Sequence, residues 1–124
     1  ARAFTGRDRV AVCGYHGWQD WYIGSTARNL GVPQATRDLT HTFAFNHADS
    51  LKAVLDAHPG EFAAVILEPM NVTYPTAEFL GAVLDFLMED DARVIGFCDE
   101  AGLPYGAVMQ ARGALPGGDV PNWT

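Results

Sequence analysis

Arg9-Val10-Ala11-Val12-Cys13-Gly14-Tyr15-His16-Gly17-Trp18 decides the fold: a short apolar run bounded by charge and glycine opens directly into an aromatic, polar turn. Such a run suits a strand covered on both faces, as in a parallel sheet. The Tyr15-His16 turn then falls at that strand's carboxyl end. Arg93-Val94-Ile95-Gly96-Phe97-Cys98 has the same form and is predicted to be another strand, with Asp99-Glu100 at its end. Phe62 to Leu67 is a third, closed by Glu68-Pro69, where proline stops the ladder. Thr40 to Phe45 alternates Thr40, Thr42 and Ala44 against His41, Phe43 and Phe45, the period of a fourth.

Helical patterns lie between these runs. Ala1 to Phe4 reads as a last helical turn with Gly6 as its C-cap, and Trp18 to Ile23 as a short helix or packed turn before the Gly31-Val32-Pro33 loop. Asp49 is a candidate N-cap for a helix over Ser50 to His58, whose Leu51, Val54, Leu55 and His58 share one face. Pro75 starts another, with Phe79, Leu80, Val83, Leu84, Leu87 and Met88 as its apolar stripe. The alternation predicts an α/β fold: a three-layer, open, largely parallel sheet with right-handed crossovers, in one domain over 1–124. Residues 101–124, rich in glycine and proline and without an amphipathic period, are expected to form a loop-rich tail.

Composition narrows the function. The 124 residues are 48% hydrophobic and 19% charged, which fits a globular domain and argues against disorder. Fifteen acidic against eight basic side chains give a formal charge of -7 with no basic run, so neither nucleic acid nor an anionic membrane is an expected partner. No apolar stretch reaches the roughly 20 residues of a spanning helix, and the N-terminus has no signal-peptide pattern, so the expected location is cytoplasmic. Cys13 and Cys98 are expected as free, buried thiols rather than a disulfide or metal pair.

In open parallel sheets ligands sit beyond the carboxyl ends of the strands. Tyr15-His16, Glu68 to Asn71 and Asp99-Glu100 all fall at such ends, and a carboxylate after a buried run needs a cationic or proton-donating partner. These residues, with Ala3-Phe4-Thr5-Gly6-Arg7, Gly14-Tyr15-His16-Gly17, Pro59-Gly60-Glu61, Ala64-Val65-Ile66-Leu67-Glu68-Pro69 and Asp99-Glu100 in this order, resemble the class III pyridoxal-phosphate-dependent aminotransferases. The nearest branch is the glutamate-1-semialdehyde 2,1-aminomutase-like one. The resemblance is dense from residue 1 to about residue 87.

The resemblance implies the large domain of a type I pyridoxal-phosphate transferase, usually a homodimer, acting on a small amino donor and an oxo acceptor. It implies that Tyr15 stacks on the ring of pyridoxal 5'-phosphate and that Asp99 bonds the ring nitrogen. His16 is a further candidate contact, with Glu68 and Asn71 as possible pocket residues. The bland alternatives are an aromatic packed beside the sheet for Tyr15, a turn cap for Asp99, architectural roles for Glu68 and Asn71, and a hydrogen-bonded structural role for His16, which is favoured there. Trp18, Trp21 and Tyr22 are expected to face a partner subunit or other parts of the protein.

The family's cofactor-bearing lysine follows the Asp-Glu pair by a few tens of residues, and its phosphate-binding Ser-Gly-Thr segment precedes the matching region. This chain holds one lysine, Lys52, on the polar face of a predicted helix four residues before Asp56, where pairing with Asp56 is its expected role. The expectation is a fragment of the large domain, inactive alone. After Asp99-Glu100, Ala101-Gly102-Leu103-Pro104-Tyr105 departs from the family's Thr-Gly-Phe-Arg pattern. The short Trp18–Leu30 interval favours amino transfer over the aminomutase reaction. From other classes, a non-catalytic α/β binding or relic module remains open, as does a hydrolase or thiol enzyme using Cys13 or Cys98 with His16. Metal binding by His16 and Asp20 has no third or fourth ligand to complete it.

Overall fold

A computed structural model of the chain describes residues 1–68 and 74–118. The expectation of a single domain over 1–124 meets two compact units, Ala1–Tyr74 and Pro75–Thr124.

The first unit is α/β, with helices flanking a three-stranded parallel sheet. In chain order it holds α1 (Arg2–Thr5), β1 (Arg9–Cys13), α2 (Asp20–Ile23), α3 (Gln34–Arg37), β2 (Thr40–Thr42), α4 (Ala48–Asp56) and β3 (Phe62–Leu67). The strands lie in the order β2-β1-β3, so the chain passes over β1 between β2 and β3. Val10 pairs with Thr40 on one side and Ala64 on the other, and the ladder runs on to Val12–Thr42 and Cys13–Leu67. The central strand is buried from Val10 to Cys13, as its unbroken apolar run requires. Val10 and Val12, with Ala64 and Ile66, form one face, covered by Trp21 and Tyr22 of α2. Helix α4 packs on β1, and its Leu51 is fully buried.

Local chemistry sets the ends. Gly6 closes α1 in the left-handed region at φ 67°, as expected. The N-cap of α4 is His47 rather than Asp49: its Nδ1 accepts from the Ser50 amide at 3.2 Å, leaving Asp49 in the first turn. β2 is shorter than the predicted Thr40–Phe45, ending where Phe43 turns into the core.

The second unit is helical, with α5 (Ala77–Met88), α6 (Asp91–Ala101) and α7 (Ala107–Gly113). Helix α5 starts at Ala77 rather than at the expected Pro75, and Thr76 caps it by accepting from the Phe79 amide at 3.2 Å. The strand predicted over Arg93 to Cys98 is wrong: these residues are the body of α6. Asp90 Oδ1 accepts from the Ala92 amide at 3.0 Å and caps the start. At the other end Gly102 takes φ 65°, and the Leu103 amide donates to the Cys98 carbonyl at 2.9 Å, a Schellman closure. An apolar run of six residues carries no period that separates strand from helix, so the flanking caps decide it.

The loop expected over 101–124 is also corrected, because it contains α7. Arg112 forks onto Asp85 of α5, Nε to Oδ1 at 2.5 Å and NH2 to Oδ2 at 3.2 Å, and also donates to the carbonyls of Pro116 and Gly117. That bidentate pair ties α7 and the turn after it to α5.

Candidate functional site

The carboxyl edge of the sheet carries three of the predicted site residues. β1 ends at Cys13, and Gly14 follows at φ 88°. A Cβ on Gly14 would lie 3.2 Å from Glu68 Cγ and 3.3 Å from its Oε2, so glycine serves both the turn and the close approach of the side chain that follows β3. His16 Nε2 lies 2.6 Å from the Cys13 carbonyl, which accepts only, so Nε2 carries the proton and the ring pins the turn to the strand end. The structural bond weighed for His16 is therefore present.

Tyr15 is 65% exposed. Its edge contact is Tyr22, with ring centroids 5.7 Å apart at 87°. Tyr22, expected with Trp18 and Trp21 to face a partner subunit or other parts of the protein, instead organises this turn. It is 8% exposed rather than part of an open aromatic patch, its hydroxyl donates to the Gly14 carbonyl at 2.9 Å, and its ring also meets His16 at 5.4 Å. The signal for it was its position: one turn into α2, facing Val10 and Val12. Trp18, in contrast, is exposed.

Cys13 is buried, and burial, reinforced by the Glu68 charge, raises its thiol above the ordinary range. That is the reverse of what a nucleophilic cysteine needs. Cys98 is buried on α6, where its thiol lies 3.5 Å from the Pro104 carbonyl. Among the described residues no three His, Cys, Asp or Glu side chains cluster as metal ligands, and no helix is long and apolar enough to cross a membrane.

Asp99 does not end a strand. It lies in the last turn of α6 in the second unit, and its Oδ1 accepts from the Tyr105 hydroxyl at 3.0 Å. That bond, with the neighbouring charge, raises the Tyr105 phenol above its usual range. Asn71 lies outside the described residues. Lys52 is exposed on α4, and the expected pair with Asp56 is not among the ion pairs of the described residues.

The amino edge of the sheet holds a second polar cluster. Arg9 donates to Glu61 Oε2 at 2.7 Å, to the Asp38 carbonyl at 2.8 Å and to His41 Nε2 at 2.8 Å. His41 and His58 lie 4.9 Å apart by ring centroids, and His58 Nδ1 is 3.9 Å from Glu61. Burial, then the Arg9 and His58 charges, lower the His41 imidazole below its ordinary range. The Arg9 hydrogen bond lowers the Glu61 carboxyl. A cleft of about 380 Å³ opens beside this cluster, lined in part by Arg7, Asp8, Leu39 and Glu61, at the opposite end of the strands from Tyr15.

Comparison with known proteins finds relatives by sequence and by fold. The 3-aminobutyryl-CoA aminotransferase of Cloacimonas acidaminovorans (strain Evry) is 35% identical over 89 residues, covering 67% of this chain and 21% of that protein. An omega-transaminase from Sphaerobacter thermophilus superposes with a TM-score of 0.58 at 26% identity, over 71% of this chain and 25% of its own. The FumI protein of Sphingopyxis sp. MTA144, solved in its PLP internal aldimine form, gives 0.57 at 27% identity over 82% of this chain and 23% of its own. A transaminase with PLP bound shares the fold at 24% identity and a TM-score of 0.58, over 91% of this chain and 30% of its own. The chain thus spans about a fifth to a third of the length of these relatives. Residues 73–118 match a different family model, described as a protein of unknown function (DUF3572). Over part of its length, sequence and fold similarity point this chain to the class III pyridoxal-phosphate-dependent aminotransferases.

Proposed function

We propose that the sheet-bearing unit is a piece of the large, cofactor-binding domain of an aminotransferase. The reaction is transfer of an amino group between an amino compound and an oxo acid or aldehyde. The observation that carries this reading is the parallel β2-β1-β3 sheet with Gly14-Tyr15-His16 at the carboxyl end of its middle strand, in a chain 35% identical over 89 residues to an aminotransferase. Pyridoxal 5'-phosphate is the implied cofactor, and when bound it supplies an electron sink for charge developing on the substrate. Tyr15 is the exposed aromatic proposed to stack on it, His16 holds the turn, and Glu68 borders it beside Gly14.

The fit is incomplete. Covalent attachment of that cofactor needs a lysine amine, and Lys52, the one lysine, is exposed on α4. Asp99 belongs to a helix and is engaged by Tyr105, so no cofactor role is proposed for it. The 124 residues by themselves are accordingly proposed to be inactive, and a homodimer to be the assembly of the whole enzyme. The aminomutase reaction is the alternative within the family. A non-catalytic α/β binding or relic module is the alternative outside it.

Pyridoxamine 5'-phosphate, which forms no imine with stray amines, is the probe. Added to the full chain in a two-dimensional NMR titration, it is expected to shift the amides of Gly14 to Gly17 and of Glu68, and Tyr15→Leu is expected to abolish those shifts. Shifts confined to other residues, or none at millimolar probe, would count against the reading.

A further inference from the structure

The compact-unit boundary at Tyr74/Pro75 and the start of the second family match at residue 73 fall within two residues of each other, although one rests on contacts and the other on sequence. We infer that residues 75–118 are a helical module of their own, not the continuation of the aminotransferase sheet, and that Asp99 serves that module as a helix-end latch rather than a cofactor ligand. The inference does not depend on the aminotransferase reading of the first unit.

The module carries what it needs to fold. Phe79 is fully buried, Ala82 and Phe86 follow it on α5, and Cys98 of α6 and Val108 of α7 are buried with them. Arg93, itself buried, sets its guanidinium 4.0 Å from the centre of the Phe86 ring, and it donates to the Phe86 carbonyl and to Glu89. Asp85 receives the Arg112 fork from α7. Every one of these partners lies within 75–118. Two of the three helices carry their own caps: Thr76 for α5, Asp90 and Gly102 for α6. Asp99 and Tyr105 join the end of α6 to the loop before α7, so the Asp-Glu pair that resembles an aminotransferase motif already has a local task. A strand-end aspartate facing a pyridine nitrogen would instead need the 93–98 run to lie in the sheet, and that run is a capped helix.

Native-state hydrogen exchange on the full chain tests this. Phe79→Ala is expected to raise the opening of amides in 77–113 by about a hundredfold or more and to leave those of β1 and β3 unchanged, while Leu51→Ala does the reverse. The milder Asp90→Ala keeps the test alive if Phe79→Ala unfolds the module outright: its effect is expected to be about fivefold and again confined to 77–113. Loss of protection in both units from either core variant, or no protection over 77–113 in the unaltered chain, would overturn the inference. Asp99→Asn is expected to change only amides near 98–107; altered protection of β1 or β3 amides would contradict a latch confined to the module.

Discussion

Two apolar runs of near-equal length, Val10–Cys13 and Val94–Cys98, end in opposite secondary structures. The first is flanked by two parallel partners, starts at Arg9 without a side-chain cap and ends in Gly14 at φ 88°, which turns the chain out of the sheet. The second sits between an aspartate that accepts from the backbone two residues on and a glycine that closes the helix at φ 65°. Hydrophobicity commits both runs to burial; capping and the availability of partner strands choose the geometry. The burial differs accordingly. Every residue from Val10 to Cys13 is buried, while Ile95 and Phe97 stay half exposed on α6 with Cys98 turned inward.

The contrast breaks most visibly at the two cores. Phe79→Ala is expected to destabilise the helical unit by about 3–5 kcal/mol and Leu51→Ala the sheet unit by about 2–5 kcal/mol, read as separate urea transitions monitored by unit-specific NMR signals. A common shift of both transitions would erase the distinction. Cap removal is next: Asp90→Ala is expected to cost the helical unit about 1 kcal/mol, whereas the exposed Asp49→Ala, expected from sequence to be the cap of α4, costs less than His47→Ala because His47 makes the capping bond. Thermal melts of the three variants would rank them.

The sheet unit alone is expected to respond to mild acid. His41 accepts from Arg9 and its folded pKa is lowered, so the unfolded chain binds more protons than the folded one as pH falls through the ordinary histidine value of about 6.5. The stability of this contact is present above that value and lost below it. Arg9, Asp38, His58 and Glu61 are the charged and titratable groups around it, and Glu61, with its lowered pKa, keeps its own contribution until the carboxylate range. Urea midpoints are expected to fall between about pH 7 and pH 5, with a shallower slope in His41→Gln; an unchanged slope would remove His41 from the cause. The smallest effect is expected at Lys52→Ala, within about 0.5 kcal/mol, because the side chain is exposed.

The sheet unit was legible because its strands alternate with helices and because glycine and charge bound each apolar run. Register and the inward turn of Tyr22 were not, since each depends on neighbours on another element, and the His47 cap was missed because Asp49 is the commoner capping residue type. The candidate site was half legible. Tyr15, His16 and Glu68 sit at strand ends as their motifs imply, but Asp99 was drawn into the same picture by an apolar run whose caps, Asp90 and Gly102, carry the information. In 101–124 the glycines and prolines hid Ala107 to Arg112, an unbroken set of residues compatible with helix between Gly106 and Gly113.

The most direct test is the backbone state of residues 91–101 in the full chain. Carbon secondary shifts and amide-to-alpha contacts at i,i+3 by NMR are predicted to be helical from Asp91 to Ala101, with Leu103 protected by its bond to Cys98. Extended shifts across Arg93 to Cys98, with inter-strand contacts to any of β1, β2 or β3, would contradict the separation of the two units and return Asp99 to the end of a strand.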